Sequence, residues 1–177
     1  MKGIVFTEFL EMVEERFSPE IADRIIEASK LRSGGAYTAV GTYDYQELLR
    51  LVASLSHETG APVGDLVRSF GQHLFGRFFV SDPQFFEGID NAFDFLRNIE
   101  KYVHMEVRKL YPDAELPSFE CSSPDPSSLT MTYRSTRPFA VFAEGLILGC
   151  IEHFGESIAV RREDLSETSA RFTLARR

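Results

Sequence analysis

At Tyr111-Pro112 the hydrophobic rhythm of the chain changes, which separates a helical first part from an extended second one. Before it, apolar side chains recur every three or four residues, the period of a helix with one buried face. Phe6, Phe9, Leu10, Val13 and Phe17 predict a first helix, ended by Ser18-Pro19. Ser18 as N-cap and Pro19 at the first helical position start a second, with Ile21, Ile25, Ile26 and Ala28 reaching about Leu31. After a glycine-rich loop through Gly41, Thr42 or Asp44 caps a helix carrying Leu48, Leu49, Val52 and Leu55, which closes near Gly60. Ala61-Pro62 restarts a helix through Phe78, and Ser81-Asp82-Pro83 a short one. Ile89 to Leu110 is predicted as one long helix with Phe93, Leu96, Ile99, Val103 and Val107 on its stripe and His104 beside it.

Beyond Pro112 the runs are short and extended. Leu116–Cys121 and Ser128–Tyr133, joined by a turn rich in Ser, Pro and Asp, predict a hairpin. Ala140–Phe154 is apolar enough for a buried helix, and Ser157–Arg161 and Ala170–Leu174 predict two closing strands. The expected fold class is therefore α+β: a mostly helical N-terminal part, then a small antiparallel sheet with one inserted helix. No repeat or linker interrupts the chain, and 177 residues suit a single domain spanning 1–177.

Charge narrows the function. Nineteen Lys and Arg against 27 Asp and Glu give a net charge of -8, which argues against nucleic acid and against an anionic membrane as partners. The first residues turn acidic at Glu8 and Glu11 before an apolar run develops, so neither a signal peptide nor a membrane span is expected there. Cys121 and Cys150 are too few for a disulfide framework, which points to reduced thiols and a cytoplasmic location. Phosphate-loop, dinucleotide, zinc-protease and serine-hydrolase motifs are all absent, and an enzyme is not expected.

Two features carry chemistry. Of the histidines, His57 and His153 lie near predicted helix ends, where an imidazole meets the terminal carbonyls. His104 instead borders an apolar stripe among phenylalanine-rich segments, a setting in which an imidazole can coordinate iron. Separately, Tyr133, Ser135 and Arg137 in Tyr-Arg-Ser-Thr-Arg-Pro fall at i, i+2 and i+4. On a strand continued to Arg137 they share one face, and a phenol, a hydroxyl and a forked guanidinium together suit a pair of carboxylates.

With Met1-Lys2-Gly3-Ile4-Val5 at the start, His104 on its helix, Pro117, and Tyr-x-Ser-x-Arg at 133–137, the chain resembles the haem nitric oxide/oxygen-binding (H-NOX) family over essentially its whole length. The resemblance implies a haem buried between two lobes, with His104 as the single protein ligand to iron. It also implies that Tyr133, Ser135 and Arg137 hold the haem propionates and that Pro117 presses on the macrocycle. No Cys-x-x-Cys-His is present, so the haem is expected to be non-covalent haem b.

Selectivity follows from the distal side. Bound O₂ profits from a hydrogen-bond donor, whereas NO binds ferrous haem without one. Oxygen-binding members carry a distal tyrosine nine residues after the motif tyrosine, and that position is Phe142 here. The other positions matching the distal pocket, Val5, Phe9, Leu74, Phe78 and Leu146, are apolar as well. His73 would enter that pocket on a helix rotation of roughly 100°.

The resemblance thus implies a nitric oxide sensor that discriminates against O₂, with carbon monoxide as a second candidate ligand. It implies signalling by loss of the iron–histidine bond and a shift of haem and proximal helix. A chain of this length implies a stand-alone sensor that acts on a separate protein, such as a histidine kinase or a cyclic-di-GMP enzyme. A redox or haem-level sensor would use the same pocket.

Overall fold

Two of the predicted helix starts in the first half have their capping side chain in place. In the computed structural model, which describes residues 1–177 with the exception of the Tyr102 side chain, the Ser18 hydroxyl accepts from Ile21 N–H at 3.3 Å. It opens α2 (Pro19–Ser29) directly after α1 (Gly3–Arg16). Of the two candidate caps for the next helix it is Asp44 that acts, accepting from Gln46 N–H at 3.0 Å, and Gly60 ends α3 (Tyr45–Thr59) with a left-handed φ of 72°. Helix α4 (Val63–Ser81) follows and runs across the boundary between two units, Met1–Phe70 and Gly71–Arg177.

The Met1–Phe70 unit closes around Phe6, Phe9, Met12, Val13, Ile25, Leu51 and Leu55, all nearly inaccessible to water. Phe70 meets Phe9 edge to face at 5.2 Å. Its loop 30–44 is tied down by one buried carboxylate. Glu47 accepts from Ser33 N–H at 3.1 Å, Ser33 Oγ at 2.6 Å and Tyr37 Oη at 2.7 Å. Burial alone pushes the Glu47 carboxyl up, but these donors outweigh it and hold it below its ordinary value.

In the Gly71–Arg177 unit a four-stranded antiparallel sheet has the order β1 (Ser118–Ser122), β2 (Ser128–Arg134), β4 (Ser169–Arg176), β3 (Ile158–Ser166). Alternation sends Leu129, Met131 and Tyr133 of β2 and Ala170, Phe172 and Leu174 of β4 to one face. That face joins a core with α5 (Ala92–Arg97) and α7 (Ala140–His153). The α+β class is as expected, helices first and the sheet after, with α7 inserted between β2 and β3.

One helix differs from its prediction. The expected continuous helix from Ile89 to Leu110 starts at Ala92, where Asn91 caps it, and pauses at Asn98. It then runs as a π-helical segment, Glu100–His104, into α6 (Met105–Leu110). A stripe spaced by threes and fours is compatible with α and π turns alike, so periodicity could not detect the extra residue.

The carboxy-terminal half of α4 and α7 approach unusually closely. A Cβ added at Gly71 would stand 2.5 Å from the Phe142 carbonyl oxygen and 2.8 Å from Gly145 Cα. One at Gly149 would stand 2.8 Å from Phe75 Cβ and 3.1 Å from Gln72 Cα. Glycine is required at both places by the neighbouring backbone.

Two outcomes follow for stability. Glu47→Gln should lower the unfolding free energy by about 1–3 kcal/mol, read from urea denaturation. Because folding lowers the Glu47 pKa, its contribution is complete above the ordinary glutamate value and fades as pH falls through the lower folded one. Down a pH series the wild-type midpoint should therefore drop more steeply than that of Glu47→Gln. Gly149→Ala should cost about 1–3 kcal/mol through overpacking, seen as a lower calorimetric midpoint.

Candidate functional site

His104 closes the π-helical segment, with only 7% of its surface exposed. Its Nδ1 lies 3.0 Å from Oε1 of Glu100, one π turn earlier. Side chains four residues apart lie on the same side of a helical segment and can meet. The same Glu100 Oε1 accepts from Phe119 N–H of β1 at 3.0 Å, and its second oxygen faces Arg108 Nη1 at 3.7 Å. Burial lowers the His104 pKa more than the nearby carboxylate raises it. The ring is therefore neutral at pH 7, and with Nδ1 engaged, Nε2 is the atom left to coordinate a metal.

An aromatic path leads from this histidine into the sheet. The Phe119 ring lies 6.0 Å from His104 and 5.5 Å from Tyr133, and Tyr133 lies 6.4 Å from Phe172. Burial pushes the Tyr133 phenol up, only partly offset by its hydrogen bond with Ser135 and by the Arg137 charge. It stays protonated and able to donate.

Tyr133, Ser135 and Arg137 do come together, but not along a strand. β2 ends at Arg134, and after Ser135 N–H donates to the Thr168 carbonyl at 3.0 Å the chain bends. Ser135 Oγ accepts from Arg137 N–H at 3.1 Å, and Phe139 N–H donates to the Arg137 carbonyl at 2.9 Å, closing the bend. The expectation of extended backbone through Arg137 is thus corrected: a hydroxyl-stapled turn carries the guanidinium, which is mostly covered and pairs with the exposed Glu115. Pro117 is half-buried immediately before β1.

The apolar candidates divide between the units. Val5, half-buried, and Phe9, fully buried, lie on α1. Leu74 is buried and Phe78 half-buried one turn apart on α4, and Phe142 and Leu146 are half-buried one turn apart on α7. His73 is half-buried with its Nε2 shielded from solvent. His57 occupies the last turn of α3, as expected; His153, in the last turn of α7, also lays its ring 3.8 Å from that of Phe79.

Among the described residues no group of three or more His, Cys, Asp or Glu side chains could hold a metal ion. An open groove of about 790 Å³ beside α6, lined by Phe85, Ile89, Lys101, Met105 and Leu110 among others, includes none of the candidate site residues. No helix among the described residues is long and apolar enough to cross a membrane. Sequence reasoning missed Glu100, Phe119, Arg108 and Glu115. Only Glu100 left a signal, a carboxylate four residues before the histidine on a helix.

The Haem-NO-binding family matches residues 2–162. An Fe(II) unliganded H-NOX protein from K. algicida is 39% identical over 100% of this chain and 97% of its own, with a TM-score of 0.93. The IWP-051-bound H-NOX from Shewanella woodyi in the Fe(II)CO ligation state is 43% identical over 100% of this chain and 95% of its own, at a TM-score of 0.86. An H-NOX protein from S. oneidensis in the Fe(II)NO ligation state, 23% identical over 100% and 99% of the two chains, shares the fold at 0.91. No curated protein matches the chain.

Proposed function

This chain belongs to the haem-NO-binding (H-NOX) family of haem-based gas sensors, and from that premise we propose that it senses nitric oxide at a non-covalent haem b tethered by His104, discriminates against O₂, and signals to a separate protein when the tether is lost. One observation carries the reading: a neutral, buried imidazole whose Nδ1 is engaged by Glu100, so that Nε2 is presented as donor. Among the described residues no three His, Cys, Asp or Glu side chains gather around His104 to hold a metal ion by themselves, which suits an iron whose other ligands come from a porphyrin.

The residues present fit the group. Tyr133, Ser135 and Arg137 converge as donors, and Arg137 already grips a carboxylate, that of Glu115, whose place a propionate takes. Pro117, half-buried immediately before β1, would press on the macrocycle. When bound, ferrous haem supplies an open position for a diatomic gas. Val5, Phe9, Leu74, Phe78, Phe142 and Leu146 offer that gas no hydrogen bond, which withholds from O₂ the stabilisation that NO does not need. Release of His104 frees the segment Glu100–Leu110 to adopt a second arrangement, and a partner that binds this arrangement more tightly reads the signal. The whole of 1–177 acts as one haem-binding domain in the cytoplasm, and it performs no catalysis.

Purified protein should show a Soret band that shifts with NO and stays put in air. His104→Gly should lose haem or change the ferrous spectrum, while His73→Ala leaves it alone; an unchanged spectrum in His104→Gly would assign the ligand elsewhere. Phe142→Tyr should introduce the missing donor and yield a spectrally detectable O₂ complex under air.

A further inference from the structure

The carboxylate of Glu100 does two jobs with one oxygen. Oε1 lies 3.0 Å from His104 Nδ1 and also accepts the Phe119 N–H at 3.0 Å, while Oε2 faces Arg108 Nη1 at 3.7 Å. An ionised carboxylate is acceptor only, so the proton of a neutral His104 ring sits on Nδ1 and the lone pair on Nε2. A metal-bound histidine whose second nitrogen donates to a carboxylate is more basic than one donating to water or to a carbonyl. The i,i+4 spacing places the two side chains on one side of the helical segment, and the Phe119 N–H holds the carboxylate on its half-exposed side.

We propose that Glu100 is the positioning residue for His104. Through the shared Oε1 it sets the tautomer and donor strength of the imidazole, and it couples the His104 segment to strand β1, so that movement of the histidine is felt at Phe119. The inference rests on the reading of His104 as haem ligand.

Resonance Raman of the ferrous, haem-loaded protein tests it. Glu100→Gln keeps an acceptor for both donors but removes the charge. The iron–histidine stretching band should move to lower frequency and the haem midpoint potential should rise, because a weaker donor stabilises ferric iron less. Glu100→Asp, charged but one methylene shorter, should restore neither, since it cannot reach both partners. In the diamagnetic Fe(II)CO protein, hydrogen exchange at the Phe119 amide should quicken in Glu100→Ala and stay slow in Glu100→Gln. A purely structural role would move the exchange rates and leave band and potential where they were in Glu100→Gln, and that result overturns the proposal. If the wild-type band is present and lost in His104→Gly yet indifferent to Glu100→Gln, only the role of Glu100 falls. If no band depends on His104, the haem-ligand reading falls with it.

Discussion

A buried imidazole cannot carry charge cheaply, and a neutral one has a single proton to place between two nitrogens. Everything distinctive about this molecule depends on how that placement is made at His104. Desolvation keeps the ring neutral, and Glu100 claims Nδ1. The neighbouring strand is part of the arrangement, because the oxygen that meets the ring also receives an amide from Phe119. Strand β1 is in turn paired with β2, Phe119 facing Tyr133 in the register, so the histidine, the sheet and the Tyr133 phenol form one continuous structure.

The Tyr133–Arg137 turn solves a different problem. A strand would spread its side chains along its length at about 3.3 Å per residue, and a turn gathers them more tightly. Ending β2 at Arg134 and stapling the backbone with Ser135 Oγ folds the guanidinium back. The serine thereby serves twice, as partner of the Tyr133 phenol and as the acceptor that shapes the bend.

Much of this was written in the residue order. Helix starts could be read because Ser18, Asp44 and Pro19 act locally, and the sheet because alternation at Leu129, Met131 and Tyr133 is a property of the strand itself. His104 and the Tyr-x-Ser-x-Arg residues were legible as chemistry and again as a family resemblance. Three things were not. The π segment left the apolar stripe intact, the non-helical backbone that Pro138 imposes on Arg137 suits a bend as well as a strand, and the ties from Glu100 to Phe119 and from Arg137 to Glu115 join residues 19 and 22 positions apart. Pairings of that kind arise only from the folded topology, and no local pattern announces them.

The near-touching backbones of α4 and α7 around Gly71, Gly145 and Gly149 have an evolutionary consequence. Two helices already at contact distance leave no slack for one to slide or lean, so the framework beneath Leu74, Phe78, Phe142 and Leu146 resists remodelling. Variation there is confined to swapping one side chain for another. A lineage built on this scaffold would diversify through single-codon changes of those side chains, while its architecture stayed frozen.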